Sequence, residues 1–430
     1  MSAIADSVEA GSAELVEGAC PELVEGRSAE GVRVEAGYIP AIEGLRGLAV
    51  LWVMLFHYVV VRDGRFDDPA IAAISSVHSL NAIARNGYLG VDLFFLISGF
   101  LLTLPWFMRA AQGRAAPSVR DFYARRFWRI APAYYVQLVV LFAIVLPLLK
   151  GAAYWRSDLY VIAANAAAHL GFLHNTTPLT SGSLGVNGAL WTLAVEAQYY
   201  VLLPLVAPLF VRAPLTSLAA AFGVAIAWHL GAQHGFGGVV ALQREVGASW
   251  DWSEATVRQL LVTQLPSYFA HFALGILAGR AWLSWRERRL ASRWRRALRV
   301  GSALALLGLY IVYGHLGPVL GDATWIVVPP AFGLAFFALA ANDRSGPHPI
   351  LGGGPLAFLG RVSYSAYLYH LPVLALWSAF MPASGWVSLP LYLATVGAIA
   401  WVSWRCVERP FLRRYRERYP TANAAAIARV

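Results

Sequence analysis

Residues 41–61 read AIEGLRGLAVLWVMLFHYVVV, and this stretch decides the class of the protein. As a helix rising 1.5 Å per residue it is long enough to cross the ~30 Å hydrocarbon core of a bilayer. Arg46 and His57 lie inside it. The eleven steps between them return a helix to within roughly 20° of the same face, about 16 Å further along the axis. A permanent cation and a titratable imidazole thus line one side of one helix at two depths. Ionisable groups in hydrocarbon are costly unless they face a polar interior, so such a pair marks a pathway or a site. A snorkelling arginine and an unrelated buried histidine would each be unremarkable alone. What gives the pair weight is the convergence of other charged residues on the same two depths.

The rest of the composition agrees. The chain is 58% hydrophobic and only 13% charged, about half the charged share of a soluble domain. Its net charge of +10 is carried almost wholly by arginine, Lys150 being the only lysine. A basic chain can signal nucleic acid, but here the arginines follow membrane topology, and no nucleic-acid partner is expected. Cys20 and Cys406 have neither metal-ligand spacing nor a disulfide framework, and no metal is expected. Residues 1–37, with SAELVEG, PELVEG and RSAEG in degenerate repetition, read as a disordered acidic tail. They lack the basic and apolar regions of a secretory signal.

Apolar runs of spanning length recur near 41–61, 88–107, 130–149, 188–211, 215–232, 260–283, 298–316, 323–342, 356–380 and 386–407. The expected fold is therefore an all-α polytopic membrane protein of about ten transmembrane helices. The segment 158–174 is expected to be an interfacial or re-entrant helix. Arginines crowd the second-to-third connection (Arg109 to Arg129), the sixth-to-seventh (Arg280 to Arg299) and the end (Arg405 to Arg418), while alternate loops are sparse. The positive-inside rule then places both termini in the cytoplasm of a multi-pass inner-membrane protein. On this topology His57, Asp92, Glu196 and His370 gather toward the outside. Glu43, Arg46, Arg126, Arg129, Arg361 and Glu408 gather at the cytoplasmic level.

Six stretches, in order, resemble the acyltransferase-3 family of integral membrane enzymes. They are IPAIEGLRGLAVLWVMLFH (39–57), GYLGVDLFFLISGFLLT (87–103), RRFWRIAPAYY (125–135), LWTLAVEAQYY (190–200), VSYSAYLYHLPV (362–373) and ERPF (408–411). The resemblance covers residues 38–412 as one domain, followed by a basic tail at 413–430. Two departures stand out: Ala197 replaces the second acid of a usual Glu-Glu pair, and Glu43 stands where Asp is common. No extracytoplasmic domain is expected after the last span, whereas some members carry a fused esterase-like one. A second transferase, where one is needed, is expected from another chain.

The resemblance implies a cytoplasmic acyl donor, foremost acetyl-coenzyme A, with no bound cofactor. It also implies a hydroxyl acceptor outside, a carbohydrate or similar molecule. Arg126 and Arg129 at i,i+3 share a helix face and suit the coenzyme's phosphates, since a guanidinium fork grips phosphate in bidentate fashion. Arg46 would extend that path, or pair structurally with Glu43 or Glu408. His57 is the candidate base, because acyl transfer to an alcohol needs a group that takes the hydroxyl proton. A carboxylate, Glu196 or Asp92, is expected beside it to fix its tautomer. Asp92 could instead bind acceptor or favour the start of its own helix. His370, Tyr364 and Tyr367 are expected to line the acceptor side, with Trp250, Trp252 and Asp251 in an outer loop nearby. Ser98, in a Ser-Gly pair, reads as a packing residue. Two other readings compete: a transporter of an acyl compound or other small anion, and a haem protein using His57 with His370 or His229 with His271. The acceptor's identity, the acyl chain length and the oligomeric state are not legible in the chain.

Overall fold

The computed structural model describes residues 39–418 apart from 65–67, 152–158, 182–184, 247–251, 289, 317–318, 320, 343–350, 352–353 and 382–384. The acidic tail, the last twelve residues, Trp250 and Asp251 lie outside the described residues. Among those described, all regular structure is helical. Eight helices are long and apolar enough to cross a membrane: Ala41–Arg62, Leu89–Ala111, Val119–Lys150, Gly188–Arg212, Pro214–His234, Ser292–Leu316, Thr324–Asn342 and Gly385–Tyr415. Glu254–Val262 and Leu265–Arg286, bent by 49° to each other, together have the length and composition of a ninth. The segment expected over 356–380 is helical as well, as Gly354–Arg361 followed by Ser363–Phe380. Three tyrosines and His370 make Ser363–Phe380 too polar to count on composition, and most of it is buried. It is a helix of the bundle interior. The chain is a multi-pass membrane protein.

The first span begins where Pro40, which needs no hydrogen-bond acceptor at a helix start, follows Ile39 in extended conformation. Its other end is tied down. Arg62 Nε meets Asp68 Oδ2 at 3.1 Å, and Tyr58 donates to the same oxygen at 2.5 Å. Both charged side chains are 1% exposed, so each satisfies a partner that would be costly to leave alone. Asp68 Oδ1 accepts from the Ala70 backbone N–H and so caps the following helix, Pro69–Ser76.

Lipid is as apolar as a protein interior, so close packing rather than hydrophobic burial must hold the helices together. Glycines provide it. A methyl group at Gly99 would fall 2.2 Å from the Phe272 carbonyl oxygen, and one at Gly275 2.0 Å from that of Leu96. The second and sixth spans therefore touch backbone to backbone. Gly47 and Gly360 do the same between the first span and helix Gly354–Arg361, against Leu356 and Glu43. The lipid side shows the reverse pattern. Leu304, Leu307 and Ile311 of the seventh span are exposed, and so are Val201, Leu205 and Leu209 of the fourth.

The marginal segment 158–174 is a short helix, Leu159–Leu170, turning back through a loop. Asn165, His169, His174 and Asn175 are wholly buried there. His174 Nε2 lies 2.8 Å from the Leu190 carbonyl oxygen, which ties this loop to the start of the fourth span.

Candidate functional site

Two cavities open within the bundle, and the first span passes both. The first, of about 120 Å³, is lined by Arg46, Arg126, Arg129, Glu196, Ser98 and Tyr364, among others. The second, of about 430 Å³, is lined by His57, Phe56, Tyr88, Asp92, Trp191 and Tyr268, among others. Val91 and Tyr367 line both. The Arg46–His57 spacing is thus realised as a guanidinium in one cavity and an imidazole in the next, with Tyr367 between them. The Tyr367 hydroxyl is held in place, donating to the Ala189 carbonyl at 3.0 Å and accepting from Thr192 at 2.8 Å.

The three arginines come from two helices. Arg126 and Arg129 stand one turn apart on the third span, whose start is capped by Ser118 accepting from the Asp121 N–H at 3.3 Å. The Arg126 guanidinium lies over the rings of Phe122 and Tyr200, at 5.6 and 5.8 Å. Arg129 Nη1 is 3.6 Å from Glu408 Oε2. Glu408 closes a π-helical turn of the tenth span and accepts from Ser365 at 2.5 Å. So Glu408, one of the two acids considered for Arg46, stands against Arg129 with the Arg46 charge also near it, and Arg129 faces the cavity already paired.

Glu196 departs from expectation. It was placed at the level of His57 as one of two carboxylates to steady the imidazole. It sits instead in the arginine cavity, its Oε1 accepting from Ser98 at 2.9 Å and from Tyr200 at 2.6 Å. The reason is helical: Glu196 lies one turn from Tyr200 on the same span, and while Tyr200 lies against Arg126 of the third span, Glu196 meets Ser98 of the second. Ser98, read as a packing residue, lines the cavity through its hydroxyl while Gly99 beside it makes the helix contact.

Asp92 does share the His57 cavity, but its partner is another histidine. His271 Nε2 of the sixth span lies 3.0 Å from Asp92 Oδ1. The neighbour of His57 is His370. His57 Nδ1 stands 2.9 Å from the Val53 carbonyl oxygen and 3.2 Å from His370 Nε2. His370 is wholly buried, so this residue, expected on the acceptor side, sits behind His57. The hydrogen bonds fix both tautomers. His370 Nδ1 is 2.7 Å from the Tyr367 carbonyl, which can only accept, so Nδ1 carries the proton and Nε2 a lone pair. His57 Nδ1 must then donate, shared between Val53 and His370. That leaves the lone pair of His57 on Nε2, in a ring that lines the cavity.

Tyr364, expected on the acceptor side, lines the arginine cavity and donates to the Ile130 carbonyl at 2.9 Å. One contributor to the His57 level is not marked in the sequence, His271 as the partner of Asp92, and His370, set beside His57 only in the haem reading, meets it directly. Each pair joins two helices more than a hundred residues apart, and no spacing within one helix announces it. The histidine pairs considered for haem are otherwise engaged. His57 Nδ1 and His370 Nε2 stand 3.2 Å apart, whereas two axial nitrogens on opposite sides of one haem iron stand about 4 Å apart, given bonds of roughly 2.0 Å each. His229 stacks on Trp325 at 3.9 Å.

Residues 39–406 match an acyltransferase-domain family. Acyltransferase MdmB of Streptomyces mycarofaciens is 26% identical over 411 residues, covering 90% of this chain and 95% of that protein. Peptidoglycan O-acetyltransferase OatA of Listeria monocytogenes is 25% identical over 410 residues, 88% of this chain. The putative membrane-bound transacylase BcsY of Komagataeibacter xylinus is 26% identical over 403 residues, 89% of this chain and 84% of its own length. The chain spans only 56% of the Listeria protein. No solved structure matches.

Proposed function

This chain belongs to the acyltransferase-domain family and is an enzyme that transfers acyl groups, and from that premise we propose that it carries an acyl group, foremost acetyl, from cytoplasmic acyl-coenzyme A to a hydroxyl of an extracytoplasmic carbohydrate or similar acceptor. The observation that carries this reading is the pair of cavities sharing Val91 and Tyr367, one rich in guanidinium groups and one holding an imidazole.

Arg46, Arg126 and Arg129 suit the phosphates of the donor, which enters from the arginine-rich face with both chain termini on that side. The thioester then lies toward Tyr367 and the acceptor hydroxyl beside His57. Nε2 of His57 takes the hydroxyl proton as the oxygen attacks the thioester carbonyl carbon. The new C–O bond forms, the C–S bond breaks, and coenzyme A leaves as a thiolate that recovers the proton. His370 positions the base by holding its Nδ1–H. Asp92, with His271 behind it, faces the acceptor. The acetyl group and the saccharide acceptor are suggested by what the names of the OatA relatives say of those proteins.

The test is release of free thiol from acetyl-coenzyme A by purified protein in nanodiscs, with and without saccharide acceptors. His57→Ala is expected to lower turnover by ~10²–10⁴ while eluting as wild type in size exclusion. Arg126→Gln is expected to raise the KM for donor by about tenfold, the scale of a hydrogen bond to a charged group. Equal turnover in wild type and His57→Ala would remove His57 as the base.

A further inference from the structure

A third cavity, of about 470 Å³, belongs to neither part of the site described above. It is bounded by three stripes at helical spacing, each about 10 Å long at 1.5 Å per residue. The eighth span gives Phe332, Ala335, Phe336 and Leu339, the seventh Leu306, Leu309, Tyr310 and Tyr313, and the first Leu45, Leu48 and Trp52. The space therefore runs along the helices, parallel to a bilayer lipid. Its mouth is lateral, for Leu48, Ile83 and Leu306 are all exposed on the lipid face. The helix His78–Arg85 closes the outer end with Ala82 and Ile83, anchored where Trp52 Nε1 donates to the Ile83 carbonyl at 2.7 Å.

Polar groups are confined to that outer end. Asn86, Tyr310 and Tyr313 are there, whereas the end toward Leu45 and Leu339 is apolar. The same end adjoins the His57 cavity through a run of rings. Tyr313 meets Tyr88 at 6.4 Å, Tyr88 meets Phe56 at 5.5 Å, and Phe56 meets His57 at 4.8 Å. Tyr88 and Phe56 line the His57 cavity, while their neighbours Leu89 and Trp52 line the apolar one. It shares no lining residue with either cavity of the site.

We propose that this cavity holds the hydrocarbon tail of a lipid-linked carbohydrate, the acceptor, whose head group reaches His57 past Tyr313 and Tyr88. A chain with a polar head at one end matches a shaft with polar groups at one end, and the lateral mouth admits it from the bilayer without a passage through water. The polar end of the shaft is the end that adjoins the imidazole through this run of rings, which favours the acceptor's tail over the donor's. This assignment deepens the acyl-transfer reading and rests on it for the identity of the head group.

The test uses the whole protein in phosphatidylcholine nanodiscs with dodecyl β-glucoside carrying a diazirine at the end of its tail. After irradiation, labelled peptides are mapped by mass spectrometry. Label is expected on residues 306–313 and 332–339, removable by unlabelled dodecyl glucoside. Ala335→Trp is expected to lower it by about tenfold, because the indole fills the space the tail needs. Leu309→Trp serves the same purpose from a different helix should the first variant fail to fold. Label spread evenly over lipid-facing positions such as Val201 and Leu205 would overturn the proposal and leave the cavity to bilayer lipid. Label displaced by palmitoyl-coenzyme A but not by the glucoside would overturn it in favour of a donor tail. Thiol release from acetyl-coenzyme A, followed in the same preparation, separates the two readings. Its absence with labelling intact sinks acyl transfer alone, and its presence without site-directed labelling sinks the tail site alone.

Discussion

At the scale of the residue, the base candidate depends on a second imidazole. His370 presents a lone pair to His57 only because its own proton is committed to the Tyr367 carbonyl at 2.7 Å. Replacing His370 by Phe removes the acceptor while keeping the ring, so His57 loses one of the two bonds that hold Nδ1–H. The expected outcome is a fall in kcat of about 10–100-fold, the range found when a partner orienting a functional imidazole is lost. KM for acetyl-coenzyme A should not move, because the arginine cavity does not include His370. His370→Gln, which keeps an acceptor, should recover part of the loss. Equal falls in kcat for both variants, or a changed donor KM, would reduce His370 to a packing residue. Arg46 and His57 were legible together because they share one helix, where spacing fixes the relative face and depth. His271 as the partner of Asp92 was not, and His370 was legible only as a group at the His57 level, since each contact is made by helices whose relative rotation no local pattern encodes.

At the scale of the element, the second and sixth spans meet backbone to backbone, beside the stretch of the second span that lines the arginine cavity. Gly99 and Gly275 allow their backbones to meet, and a methyl at either would press on a carbonyl oxygen of the facing helix. Gly99→Ala or Gly275→Ala is therefore expected to destabilise the protein by about 1–3 kcal/mol through forced separation. Thermal unfolding in detergent would register this as a lowered midpoint. Gly308→Ala is the control, because nothing lies near that position, and removing a mid-helix glycine there should leave stability unchanged or raise it by up to about 1 kcal/mol. A Gly99→Ala midpoint no lower than that of Gly308→Ala would mean that the contact between these spans is slack. The same packing explains why Ser98 read as a helix-contact residue. The glycine beside it makes the contact, and the hydroxyl, one position round the helix, turns into the cavity.

At the scale of the whole molecule, arginine asymmetry predicts a single orientation. A cysteine appended after Val430, in a protein carrying C20S and C406S, should resist an impermeant maleimide in intact cells and react once the inner membrane is opened. Labelling in intact cells would reverse the topology and with it the side from which donor enters. The sequence by itself determined that the chain is helical, that it lives in a bilayer, and which family it belongs to. Hydrophobic run length and motif order are local properties of the chain. Among the described residues eight of the ten expected runs are helices long and apolar enough to span, the other two being the bent pair at 254–286 and the more polar helices at 354–380. Only the tertiary structure decided which polar groups meet: Glu196 with Ser98 and Tyr200 among the arginines, Asp92 with His271, and His57 with His370. Depth along the membrane normal follows from residue number only coarsely, as Glu196 in the arginine cavity shows, and contact also needs the rotation of each helix about its axis. That rotation is set by glycine contacts and side-chain packing between spans far apart in sequence.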